Sequence, residues 1–141
     1  MIDAFLARPL TARVATDGPT VRPTWYLWED GAFWILSGPW SRLPGLVRAR
    51  PRIALTVDVC ELATGEVVQV LARGEAELRP FDVARGRRKL VRYLGGDEGR
   101  WDPRFREYLH GDVEAVWIHL RPSRLVMKDL SYEAGFPGGR A

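Results

Sequence analysis

One cysteine, two histidines and two lysines in 141 residues leave several chemistries without their reagents. Cys60 alone cannot form an internal disulfide and suits a reducing compartment, so the expected location is the cytoplasm. His110 and His119 are too few for a metal centre and Cys60 has no ligand beside it in sequence, so no metal is expected. No apolar run approaches the ~20 residues of a bilayer span, and no membrane association is expected. The first ten residues, MIDAFLARPL, carry Asp3 and no basic stretch ahead of an apolar one, which reads poorly as a signal peptide. There is no Gly-x-Ser-x-Gly elbow and no Walker loop, and the Gly95-Gly96 pair has no strand before it. Glu75 and Glu77 share a strand face with Arg73, the pattern of a solvated charge ladder. An enzyme built on this chain must therefore take its reactivity from a cofactor.

The composition that remains is globular, 46% hydrophobic and 28% charged, and the length fits one domain spanning 1–141. A net charge of +3 favours phosphate-bearing ligands but is too small to imply nucleic acid. Six tryptophans are many for such a chain and suggest an aromatic pocket or a subunit interface. Trp25, Trp34 and Trp117 fall in strongly apolar stretches rather than on a basic face, so a nucleic-acid partner is not expected.

Strands dominate the pattern. A short helix from Asp3 to Leu10 precedes a strand at Ala12–Thr16. After the Asp17-Gly18-Pro19 turn, a strand runs from Thr20 to Trp28 with Val21, Pro23, Trp25 and Leu27 on one face. Pro23 gives no amide hydrogen to a ladder, which places that strand at an edge or kinks it. Asp30-Gly31 predicts a tight primed turn into a buried strand, Ala32–Leu36. A helix from Ser41 to Arg50 ends at Pro51, and Ile53, Leu55 and Val57 alternate in the next strand. A long strand, Val67–Leu78, has Val68, Val70, Ala72 and Ala76 on one face and Gln69, Arg73, Glu75 and Glu77 on the other. Phe81–Leu94 reads as a basic amphipathic helix, Asp102–Leu109 as a second one, and Val113–Leu120 and Arg124–Asp129 as closing strands. The tail, 134–141, reads as loose or docked on a partner. The expected fold is mainly β, an antiparallel barrel of six to seven strands with a few short helices.

One stretch stands apart from this regular pattern: Leu36-Ser37-Gly38-Pro39-Trp40-Ser41-Arg42-Leu43-Pro44-Gly45. A strand ends there and a helix begins, with Ser41 suited to cap it. The turn is either ordinary or an anion site, because a helix start offers amide hydrogens and Ser and Arg side chains match a phosphate.

The succession Arg13-Val14-Ala15-Thr16-Asp17-Gly18, Arg22-Pro23-Thr24-Trp25-Tyr26-Leu27, Trp34-Ile35-Leu36-Ser37-Gly38, Ser41-Arg42, Arg50-Pro51-Arg52, Gln69-Val70 and Gly74-Glu75-Ala76-Glu77-Leu78 resembles the pyridoxamine 5'-phosphate oxidase-like, FMN-binding split-barrel superfamily. The resemblance runs from about residue 5 to 80, more weakly to Asp129. It implies a homodimer with a flavin-type cofactor between subunits and a small-molecule substrate, with hydride transfer at the flavin ring. By position, Ser41 and Arg42 match the first two residues of a Ser-Arg-Lys turn that grips the flavin phosphate. Leu36 and Ser37 match the end of the preceding strand. Arg22, Pro23, Thr24 and Trp25 match the segment whose backbone runs along the ring, and Gln69 matches a glutamine reaching the flavin from the long strand. No catalytic acid or base is assigned. The family's lysines are replaced by Leu27 and Leu43, which implies weaker FMN binding or another cofactor, the deazaflavin coenzyme of the F-420 type being the alternative. On this reading Arg42→Ala weakens cofactor binding more than tenfold and leaves folding nearly intact. The alternative function is a non-catalytic carrier of flavin or haem on the same barrel.

Overall fold

The computed structural model describes residues 1–111 and 114–135. Within them eight antiparallel strands and four short helices form a single sheet that does not close on itself. The strands are β1 (Ala12–Thr16), β2 (Thr20–Thr24), β3 (Leu27–Glu29), β4 (Ala32–Ser37), β5 (Arg52–Glu61), β6 (Glu66–Pro80), β7 (Val116–Leu120) and β8 (Arg124–Asp129). The helices are α1 (Ile2–Leu6), α2 (Leu43–Ala49), α3 (Val83–Leu94) and α4 (Pro103–His110).

Strand order is β2-β1-β5-β6-β7-β4-β3, with β8 on β6 as well. The fifteen residues of β6 make this possible. Val68–Arg73 pairs with β8, Ala76–Pro80 pairs with β7, and β5 follows the opposite edge from Glu66 to Glu75. The two pairings part at Gly74, where an added Cβ would lie 3.0 Å from the Ser123 nitrogen and 3.2 Å from a Leu120 methyl. A side chain there would push the β7–β8 connection off the strand.

Hydrophobic alternation places the core as the sequence predicts. Ile53, Leu55 and Val57 of β5 and Val68, Val70, Ala72 and Ala76 of β6 are buried with Phe5, Leu6, Phe33, Leu43, Val47 and Ile118. Asp30 and Gly31 both adopt positive φ, 55° and 71°, the geometry of a primed two-residue hairpin. Pro23 lies on β2, at the end of the sheet's strand order.

Four features differ from the sequence expectation. There are eight strands rather than six or seven, because Thr20–Trp28 is two strands in different parts of the sheet. Trp25 and Tyr26 leave the ladder between them, and α3 takes over their backbone groups. The Tyr26 amide donates to the Tyr93 hydroxyl at 3.1 Å, the Tyr26 carbonyl accepts from Arg92, and Tyr93 donates to the Leu10 carbonyl at 2.6 Å. Val21 and Pro23 therefore face outward, with Val21 69% exposed, while Leu27 is buried. The first helix stops at Leu6, before Pro9, and α2 is shorter than Ser41–Arg50. The start of the predicted Val113 strand and residues 136–141 of the predicted tail lie outside the described residues. Among the described residues no helix is long and apolar enough to cross a membrane.

Candidate functional site

Arg22 sits in the middle of β2, on the face it shares with buried Val14, and is half-buried. Its Nη1 donates to the Ser41 hydroxyl at 3.3 Å, while its Nε is buried with no hydrogen-bond partner among the described residues. A guanidinium N–H withdrawn from water and left unpaired is costly, and the Arg92 Nε and Trp117 Nε1 atoms share that condition. The Ser41 hydroxyl accepts from the Leu43 amide at 3.1 Å, so Ser41 satisfies the start of α2 from one residue before its N-cap, Arg42. Leu43 is thereby paired and Pro44 has no amide hydrogen. With seven residues in α2, the site's donors are the Arg22 and Ser41 side chains rather than the helix end. Arg42 is exposed and makes no ion pair among the described residues.

The other candidate residues divide by the face they occupy. Thr24 ends β2, its hydroxyl donating to the Trp25 carbonyl at 3.2 Å. Trp25 stacks on Tyr93 with ring centres 4.3 Å apart and planes 3° from parallel, and on Phe105 at 5.5 Å. Ser37 is buried at the end of β4. Leu36 packs with Trp34, Trp117 and Phe81 on the far side of β4. Pro23 is exposed on the outer face. Gln69 is half-buried on β6, opposite Asp58 of β5 and Lys128 of β8. Two strands, β1 and β5, separate it from β2, so within one chain the fold joins Arg22 with Ser41 and leaves Gln69 apart.

The positions where the resemblance would place lysines are sealed. Leu27 and Leu43 are 5% and 2% exposed and belong to the apolar core. The structure also buries a lysine that sequence reasoning passed over. Lys89, on α3, is 6% exposed, and its ammonium lies 5.9 Å from the Trp25 ring. Burial, with the like charge of Arg92 a lesser cause, brings it down to about 8. The signal was present: Gly86, Lys89, Leu90 and Tyr93 share a helical face, which puts a lysine on the apolar side of a basic helix.

A cleft of about 750 Å³ opens elsewhere, at the end of β1, lined by Thr16, Asp17, Arg52, Arg73, Glu75 and Arg121. Its arginines are solvent-exposed and it shares no residue with the Arg22–Ser41 pair. Among the described residues no three His, Cys, Asp or Glu side chains cluster. His110 is 2.8 Å from Glu98, and His119 is 3.4 Å from Glu77 and packed on Trp34.

The fold is an open, mainly antiparallel barrel split along one long strand, with Arg22 and Ser41 in contact where β2 meets the β4–α2 turn. Compared with solved structures, the fold matches a conserved hypothetical protein of Mycobacterium tuberculosis with a TM-score of 0.74 at 22% identity, over 99% of this chain and 92% of that one. It also matches an F420 reductase (0.64, 23% identity, 88% and 94% covered) and a pyridoxamine 5'-phosphate oxidase-like protein from Listeria innocua (0.60, 17%, 92% and 94%). No family model matches the chain, and neither does any curated protein. At these identities the likeness is one of fold: the chain has the split barrel of the pyridoxamine 5'-phosphate oxidase-like, flavin-binding proteins.

Proposed function

We propose that the chain is a homodimeric oxidoreductase that binds FMN, or a deazaflavin coenzyme in its place, and exchanges hydride with a small molecule. The observation that carries the reading is the buried, unpartnered Arg22 Nε beside the Ser41 hydroxyl. A fork of two donors next to a hydroxyl fits a phosphate. Arg22 and Ser41 would hold that phosphate, Arg42 would close on it, and Thr24 and Trp25 would border the ring. The bound flavin supplies the hydride chemistry. The chain's part is to fix the anionic end, to wall the ring with aromatic side chains, and to exclude water. The names of the solved structures that share the fold support a flavin-type cofactor.

The dimer reading draws on the outer face of the β2-β1-β5-β6-β8 sheet. The register aligns Val21, Ala15, Ala54, Arg73 and Arg124 in one row and Pro23, Arg13, Thr56, Leu71 and Val126 in the next. Leu71 is 42% exposed, and a shallow cleft of about 200 Å³ lies between Ala54, Leu71 and Val126, bordered by Arg73 and Arg124. Gln69 stands on the same face, so a second copy docked there would receive it. Leu71→Arg would place a charge in that contact and is expected to halve the mass measured by light scattering at micromolar concentration. A wild-type monomer, or a variant that stays dimeric, removes this part of the reading.

The test of the cofactor is direct. Titration of the protein with FMN and with the deazaflavin coenzyme should show micromolar or tighter binding of one of them, and the reduced cofactor should be reoxidised faster by an acceptor in the protein's presence. Binding without turnover would make the chain a carrier. Indifference to both compounds would refute the reading.

A further inference from the structure

Arg52 opens β5 and Arg124 opens β8, so both stand at one end of the sheet, with Arg73 of β6 on the strand between them. Arg73 is the direct cross-strand partner of Arg124 on one side and of Ala54 on the other. All three arginines are exposed on the outer face, while their neighbours Ile53 and Ala72 point into the core. Like charges directly opposite each other on paired strands repel. Among the described residues no carboxylate offsets the Arg73–Arg124 pair, and none of the three guanidinia takes part in an ion pair. Glu75 stands opposite Arg52, and Asp17 lies nearby, but neither is within ion-pair distance of an arginine.

These cations border open space. The cleft of about 750 Å³ at the end of β1, a volume in the range of small-molecule sites, is lined by Arg52, Arg73 and Ser123. The smaller cleft of about 200 Å³ is lined by Arg73 and Arg124, and the two adjoin at Ala54 and Arg73. Arg121 lines the larger one too, but its Nη1 lies beside Gly31, so the other three supply the charge. The central arginine has a fixed base: its carbonyl accepts from the Ser123 amide at 2.9 Å and from the Ser123 hydroxyl at 3.2 Å. Directly opposite Cβ atoms on paired strands are about 4.5–5.5 Å apart, and diagonal ones about 7–8 Å. Arg73 and Arg124 are an opposite pair; Arg73 and Arg52 are a diagonal one. One phosphate suits the first spacing, and a second phosphate linked to it suits the reach to Arg52.

We propose that this groove binds a diphosphate-bearing small molecule, with one phosphate between Arg73 and Arg124 and the other on Arg52. The site shares no residue with the Arg22–Ser41 pair and does not rest on the flavin reading, so either can fail without the other.

The probes are pyrophosphate and orthophosphate, titrated calorimetrically at one ionic strength into the wild type, Arg73→Gln and Arg79→Gln. Arg79 is also exposed but is held by Glu77, so its variant removes the same charge from elsewhere on β6. The wild type should bind pyrophosphate at least tenfold more tightly than orthophosphate. Arg73→Gln should lose tenfold or more of that affinity and melt no lower, since a like-charge pair is relieved. Arg79→Gln should stay within about twofold of wild type. No binding at millimolar pyrophosphate, equal binding of the two anions, or equal losses in both variants would reduce the groove to a basic surface and overturn the assignment. So would a loss in Arg22→Ala with none in Arg73→Gln, which puts the diphosphate at the flavin site. A changed mass for Arg73→Gln by light scattering would make Arg73 an interface residue and overturn it as well.

Discussion

Arg22→Ala is expected to raise the dissociation constant for FMN by about 30- to 100-fold, since a hydrogen bond to a charged group contributes about 1.5–3 kcal/mol and each 1.4 kcal/mol is tenfold. The guanidinium loses access to water at Nε whether or not a ligand is bound, so its desolvation has already been met before the phosphate arrives. Arg42 differs. It is exposed, must give up solvent and side-chain freedom on binding, and its removal should cost closer to tenfold. Folding gives the control. Arg22's contact to Ser41 is long at 3.3 Å and one of its donors is unpaired, so truncation to alanine should leave the unfolding midpoint nearly unchanged. Flavin-fluorescence titration beside thermal unfolding reads both quantities. Equal affinities in wild type and Arg22→Ala would show that the pair grips nothing. A variant that binds weakly only because it is partly unfolded would show Arg22 to be structural.

The parts of the fold that were legible in the sequence are those where local chemistry decides. Asp30-Gly31 specifies a primed turn because both residues tolerate positive φ, and the strand limits of β1 follow from alternation and the turn beside it. Alternation along β6 separated Val68, Val70 and Ala72 from Gln69 and Arg73 in the way the burial runs. The break at Trp25 and Tyr26 was not legible, because its cause lies far along the chain: the Tyr93 hydroxyl and the Arg92 guanidinium, 67 and 66 positions from Tyr26, replace the ladder bonds. The helix capping at Ser41 was right in its chemistry and displaced by a residue in its position, since Pro44 lets α2 begin only at Leu43.

The candidate site divides in the same way. Ser41 and Arg42 were found by a local motif, and Arg22 by its place in the resemblance, but that Arg22 turns toward Ser41 while Pro23 faces away is a matter of register on β2. Gln69 has the polar environment expected of it on a face remote from Arg22, and only a second chain could reunite them. Leu27 and Leu43 look like lost ligands in the sequence; in the fold they are core residues, so restoring lysine there would bury a charge rather than rebuild a site. Lys89 was hidden by composition, one lysine in a run of arginines whose inward face becomes evident once Gly86 and Leu90 are seen to be buried beside it.

Gly38→Ala should be among the most damaging single-methyl changes in the chain, destabilising it by about 3 kcal/mol, the upper end for overpacking a fitted contact. The added Cβ would sit 2.6 Å from the Cη2 atom of Trp40 and 2.7 Å from the Glu114 carbonyl oxygen. The tryptophan is half-exposed and could swing away, but the carbonyl is backbone leading into β7, and β7 is bonded to β4 along its length. Relief must therefore come from the segment 38–41 itself, which the Ser41 amide ties back to the Gly38 carbonyl at 3.1 Å. Moving that segment carries Ser41 away from Arg22 and Trp40 away from Tyr108. Chemical denaturation should record the stability loss, and the FMN titration a weakening of tenfold or more under conditions where the variant remains folded. If binding falls only in proportion to the fraction unfolded, the turn is a packing element and the anion is held elsewhere. If stability falls and the affinity of the folded fraction falls with it, the geometry between Ser37 and Ser41 is what presents the hydroxyl to Arg22.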